Sequence, residues 1–127
     1  AVNMPMLDIE RVLPEGADAA PPGLAQALAD AAGRVFGSAP GRTWVRLRAL
    51  PATAYAENDV AALGSDALPV FVTVLQAHLP EGQALSSQVS ALTHAIAGVL
   101  GCDAQRVHVQ VVPAGAGRQA FGGRMVQ

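Results

Sequence analysis

The sequence predicts an α/β (α+β) fold: two β-α-β repeats that together form a four-stranded mixed sheet with two helices on one face. Three observations carry this. The same landmarks recur in the same order in both halves. Each half holds one stretch with the apolar spacing of a helix, and each begins and ends on a stretch that alternates like a strand. Pro5-Met-Leu-Asp-Ile-Glu opens the first half and Pro69-Val-Phe-Val-Thr-Val the second. Pro14-Glu15-Gly16 corresponds to Pro80-Glu81-Gly82, Gly37 to Gly101, and the Pro-Ala-x-Ala at Pro51 to the one at Pro113. The repeats span about 5–60 and 69–127 of a single domain over 1–127.

Taken in order, Leu7, Ile9 and Val12 are the apolar members of a first strand, with Asp8 and Glu10 alternating between them. Leu24, Leu28, Ala31, Ala32 and Val35 then follow the i, i+4, i+7 spacing of a buried helical stripe. Pro21-Pro22 stands ahead of it and Gly37 stops it. Residues 43–50 read as a strand with Val45 and Leu47 on one side and Trp44, Arg46 and Arg48 on the other. In the second half Leu85, Val89, Leu92, Ile96, Val99 and Leu100 make one helical face. Ser86 and Ser87 lie near its start, where hydroxyls suit a cap. Residues 105–112 close the pattern, with Val107, Val109 and Val111 inward and Arg106, His108 and Gln110 outward. Two βαβ units place both helices on one face, so the other face carries Trp44, the arginines, His108 and Gln110.

Bulk composition sets limits on function. At 51% hydrophobic the chain builds a real core, but 14% charged residues is low for a monomer that keeps all its surface wet. Burial of the open face against other subunits is therefore expected. A net charge of -2 gives no reason to expect nucleic acid or an anionic membrane as partner. The lone Cys102 rules out an internal disulfide and a Cys-rich zinc site, and suits a reducing cytoplasm. No apolar run approaches the ~20 residues of a membrane span, and Asp8, Glu10 and Arg11 interrupt any signal-like segment. A soluble, cytoplasmic protein is expected.

Two proline-opened βαβ units, then Val107-His-Val-Gln-Val-Val-Pro113 and the Gly-Gly hairpin Ala120-Phe121-Gly122-Gly123, resemble the tautomerase superfamily. That family includes 4-oxalocrotonate tautomerase, 5-carboxymethyl-2-hydroxymuconate isomerase and macrophage migration inhibitory factor. The resemblance covers essentially the whole chain. It implies a homotrimer with sheets lining a central barrel, and isomerisation of small carboxylated enol or unsaturated keto acids without metal or cofactor. Relatives also decarboxylate or hydrate such acids. The family's base is an N-terminal proline whose secondary amine is kept unprotonated by an apolar pocket. Arginines hold the substrate's carboxylate and carbonyl oxygen.

Carried onto this sequence, the base falls at Pro5, which follows Ala1-Val2-Asn3-Met4. Inside a chain a proline nitrogen is an amide without a basic lone pair. Either the natural chain starts at Met4 and loses it, or the extension is trimmed, or the fold is kept without the chemistry. Pro69 is internal in every case. The resemblance places Arg46 at the family's second-strand arginine, with Arg48 two residues on; the alternative is that both pair with Asp or Glu inside the assembly. His108 takes the matching place in the second half, against a plain structural histidine. Phe121 matches a pocket-closing aromatic, or packs on the next subunit. Arg118, in a Gly-rich loop, is a candidate substrate contact or a solvated arginine. The arginine that often follows the first strand is absent at both Ala17 and Gln83, which argues against a dicarboxylate substrate. His78, His94 and Tyr55 are weaker candidates. The competing function is a non-catalytic trimer of this fold acting as a binding or interaction module.

Overall fold

The computed structural model describes residues 3–18 and 20–127. Chain order is β1 (Met6–Leu13), α1 (Leu24–Phe36), β2 (Trp44–Pro51), β3 (Val70–Leu75), α2 (Gln83–Leu100) and β4 (Val107–Val111). A hairpin follows, β5 (Ala120–Phe121) with β6 (Arg124–Met125). The sheet order is β2-β1-β3-β4. Each repeat makes a parallel pair, and the two repeats join antiparallel through β1 and β3, Leu7 opposite Val74 and Ile9 opposite Val72. The mixed sheet is as expected.

Alternation fixes which face is buried. Leu7, Ile9, Val70, Val72, Val74 and Val107 point to the helices, where they meet Leu28, Ala32, Leu92, Ile96 and Ala97. The intervening residues, Arg46, Arg48, Phe71, His108 and Gln110 among them, lie on the open face. Removing the core set from water is the main driving force for folding, since a buried Leu, Ile or Val side chain is worth about 1.5–3 kcal/mol.

Local differences from the sequence reading have local causes. Both helices end on a left-handed glycine, Gly37 at φ 65° and Gly101 at φ 68°, as expected. At the start of α2, however, the cap is Gly82 at φ 55°, and no side chain caps the helix; Ser86 and Ser87 fall inside it. The second-half closing strand begins at Val107, because Ala104–Arg106 forms a 3-10 turn opened by Asp103, whose carboxylate accepts from the Gln105 amide. Arg106 is therefore not a strand residue. Its guanidinium reaches back to the Ala67 carbonyl at 3.4 Å. No helix among the described residues is long and apolar enough to cross a membrane.

Candidate active site

Because β3 runs antiparallel to β1, the start of β1 meets the end of β3, and everything tied to either gathers at one end of the sheet. Pro5, immediately ahead of β1, is fully buried there. Its carbonyl accepts from the Trp44 amide at 3.0 Å, which starts β2. The chain after β3 supplies Gln76, Ala77 and His78. The loop after β4 returns to the same place, with Gly115 and Ala116 amides donating to the Gln76 and Ala77 carbonyls at 2.8 and 3.0 Å. The hairpin then lays Phe121 on Trp44, ring centroids 4.5 Å apart and 28° from parallel. An open cleft of about 750 Å³ also borders Trp44, lined by Asp30, Arg34, Ser38 and Thr43 among others.

The residue before Met4 is bound into this end. Asn3 donates from Nδ2 to Gln76 Oε1 at 2.6 Å, accepts at Oδ1 from the His78 amide at 2.8 Å, and accepts at its carbonyl from the Ala77 amide at 3.0 Å. Gln76, itself only 1% exposed, passes the chain on to Gln88 at 2.8 Å. Met4 turns the chain into Pro5 with a left-handed φ of 50°, an uncommon conformation for a residue with a side chain. The Pro5 nitrogen is thus an amide inside a pinned segment.

The other residues singled out from the sequence are not all at this end. Arg46 lies opposite Asp8 across the parallel pair and holds it with two bonds, Nε–Oδ1 2.6 Å and Nη2–Oδ2 2.9 Å. The hydrogen bond to Asp8, and then its charge, raise the Arg46 pKa further. Arg48 stands 3.5 Å from Glu10, one pleat farther from Pro5. These are the acid–base pairings weighed against substrate binding. His108 sits toward the opposite end, tilted against Phe71 at 5.6 Å, with Tyr55 on the other side of Phe71 at 5.9 Å. The Tyr55 hydroxyl donates to Glu57 at 2.7 Å, which raises its pKa, so the phenol holds its proton. Arg118 is at the Pro5 end, where its Nη2 donates to the Ala114 carbonyl at 2.9 Å. Phe121, expected against a substrate or a neighbouring subunit, has an aromatic partner in its own chain.

The histidines outside these positions are occupied locally: His78 Nε2 meets the Gln127 carbonyl and His94 Nδ1 the Ser90 carbonyl, both at 2.8 Å. Burial raises the Cys102 pKa, which suits an inert residue packed against the core. Among the described residues no group of His, Cys, Asp and Glu is arranged to hold a metal ion.

The shape of the whole chain decides its fold. A fused 4-OT wild-type asymmetric trimer superposes with a TM-score of 0.70 at 21% identity, covering 94% of each chain. This is the tautomerase fold. A macrophage migration inhibitory factor homologue from Prochlorococcus marinus matches with a TM-score of 0.68 at 16% identity, over 96% of this chain and 99% of the other. Pt0534, in a structure inactivated by 2-oxo-3-pentynoate, matches with a TM-score of 0.71 at 18% identity, over 94% and 95%. No family model and no curated protein matches the sequence. The tautomerase fold is therefore legible here in three dimensions where sequence similarity has faded. Gln76, Gln119, Asn3 and Trp44's stacking partnership went unremarked in the sequence. No motif marks them, since their importance comes from burial and long-range contact.

Proposed function

We propose that this protein is an oligomeric, cofactor-independent isomerase of the tautomerase type, acting on small carboxylated enol or unsaturated keto acids, with Pro5 as base once its nitrogen is free. The observation that carries the reading is what Asn3 occupies. Its two oxygens take the amide protons of Ala77 and His78, beside a fully buried Pro5. Hydrolysis of the Met4–Pro5 bond adds water across the amide, leaving a carboxylate on Met4 and a secondary amine on Pro5. Once residues 1–4 depart, the Ala77 and His78 amides are available to a substrate oxygen next to that amine. Two preorganised donors aimed at a developing enolate oxygen are what proton abstraction beside a carbonyl needs. The buried setting disfavours the charged ammonium and so favours the free base.

In this reading the Pro5 amine takes a proton from the carbon beside the substrate carbonyl, the electron pair moves onto the oxygen, and the protonated amine returns the proton elsewhere on the same molecule. Phe121 on Trp44 gives an apolar wall at this end and Arg118 a cation. Arg46, Arg48 and His108 lie on the open face, so they contribute where a second copy of the sheet is laid against them, as in a homotrimer. The small 2-oxo acid that inactivates Pt0534 supports the substrate class. Cytoplasmic placement accords with the single cysteine.

A second reading, a non-catalytic oligomeric binding module, is favoured by the three bonds that hold Asn3 in place. The two readings separate on one comparison, the full chain against a chain beginning at Pro5, each assayed for ketonisation of enol-phenylpyruvate. The isomerase reading expects turnover only from the shortened, folded chain, and its loss on Pro5→Ala. Absence of turnover from a folded chain beginning at Pro5 sinks it. Turnover by the full chain that Pro5→Ala abolishes would count against the binding-module reading.

A further inference from the structure

Of the two glutamine side chains that the chain buries, Gln119 is sealed off. Its carboxamide has no partner among the described residues, and its oxygen packs against Gly115, where a Cβ would stand 2.6 Å from it. Gln76 differs, because one end of its carboxamide is covered by a residue that departs with residues 1–4 in the isomerase reading. Asn3, itself half-buried, donates to Gln76 Oε1, while Gln76 Nε2 donates to Gln88 Oε1 on α2. The polarity of this row is fixed from one end. The His78 amide can only donate, so the oxygen of the Asn3 side chain faces it and the nitrogen faces Gln76. Gln76 must then accept from Asn3, and Gln88 must accept from Gln76.

None of the groups bonded to Asn3 carries a charge: they are the Ala77 and His78 main-chain amides and the Gln76 carboxamide. A neutral group with one acceptor oxygen and one N–H donor satisfies the place as it stands. A carboxylate has no proton for Gln76 Oε1, and it brings a charge that nothing bonded there offsets. To meet it with Nε2 instead, Gln76 and Gln88 would have to turn over together. Asn3 also sets a length. Its main-chain carbonyl accepts from the Ala77 amide, and two carbons, Cα and Cβ, separate that carbonyl from the side-chain carboxamide.

We propose that the place of the Asn3 side chain is a primary-carboxamide subsite, with Gln76 its specificity-determining residue, and that the substrate is the monoamide of a four-carbon 2-oxo diacid. The carboxamide oxygen accepts from the His78 amide, the carboxamide nitrogen donates to Gln76 Oε1, and the carboxylate at the other end accepts from the Ala77 amide. The Pro5 amine takes a proton from the methylene between ketone and carboxamide. The electron pair spreads onto the ketone oxygen and onto the carboxamide oxygen that the His78 amide holds, and the protonated amine delivers its proton to the ketone oxygen, giving the enol. The choice of substrate rests on the isomerase reading; the subsite itself is present in the full chain.

The test uses the full-length chain carrying Asn3→Gly, which opens the subsite while Pro5 stays an amide. With 15N labelling, the His78 amide resonance and the Gln76 side-chain pair are expected to move saturably on adding acetamide. In the parent chain, where Asn3 fills the place, they should stay still. Acetate, of the same shape without the N–H donor, and N,N-dimethylacetamide should each bind about tenfold more weakly, the scale of one lost hydrogen bond. Adding Gln76→Leu to the Asn3→Gly chain should weaken acetamide by a similar factor. Acetamide that leaves a folded Asn3→Gly chain unmoved, or that moves the parent equally, overturns the subsite, as does acetate binding as tightly as acetamide. In the chain beginning at Pro5, succinamate should inhibit ketonisation of enol-phenylpyruvate at about one tenth of the concentration that succinate needs. Equal inhibition overturns the substrate assignment. A folded chain beginning at Pro5 with no turnover sinks the isomerase reading and the substrate assignment with it, while the acetamide titration decides the subsite by itself.

Discussion

Tyr55 is the only tyrosine in the chain, so its ionisation can be read without assignment. Its hydroxyl donates to Glu57, and that bond, followed by burial, favours the protonated phenol, while Arg106 opposes weakly. The folded pKa therefore lies above the ordinary value of about 10. Such a group contributes stability below its unfolded value and loses it as pH rises through the raised folded value. Near-ultraviolet absorbance should show phenolate forming with a midpoint above that of free tyrosine, and Glu57→Gln should bring the midpoint down. A parent midpoint at the free value would mean the bond is absent in solution. Arg46 and Arg48 illustrate the other side of residue-scale reasoning. Their substrate role and their pairing role were both open in the sequence, and the parallel register, Asp8 beside Arg46 and Glu10 beside Arg48, realises the pairing.

At the scale of elements, the segment before β1 behaves as part of the fold. Asn3 bridges to the chain after β3, more than seventy residues away, as the 73-residue separation to Gln76 records. Asn3→Ala removes the donor to Gln76 Oε1 and leaves a buried acceptor unpaired, which costs about 1–3 kcal/mol. Urea unfolding should report this as a lower midpoint with unchanged slope. An unshifted midpoint would show that Asn3 is not engaged. The helix ends were readable because Gly37 and Gly101 each follow an apolar stripe at the position where a left-handed residue stops a helix. The start of α2 was not, because Gly82 does by backbone conformation what Ser86 or Ser87 would do by side chain.

For the molecule as a whole, the open face of the sheet is the feature that composition alone foreshadowed. Phe71 is 37% exposed on it, toward the end away from Pro5, with Tyr55 and His108 as aromatic neighbours. A fused 4-OT of the same fold is a trimer, and the low charge of this chain agrees with assembly through that face. Phe71→Glu places a carboxylate where sheets would pack. Sedimentation should find the parent chain trimeric and the variant shifted to smaller species with its helix content intact. A monomeric parent would remove both the assembly and the open-face contribution of Arg46, Arg48 and His108.

The sequence by itself determined the two repeats, the strand alternation, the helical stripes and their glycine stops. Each of these is a periodicity or a local backbone preference, written in residues a few positions apart. It also determined that the Pro5 nitrogen is a non-basic amide for as long as Met4 is joined to it. The tertiary structure decided which residues share an end of the sheet. Antiparallel joining of β1 to β3 brings Pro5, Asn3, Gln76, Trp44, Phe121 and Gln119 together and leaves His108 at the far end. No local pattern encodes that grouping, because it arises from hydrogen-bond register between segments distant in the chain, and a buried amide's partners or lack of them exist only once those segments have met.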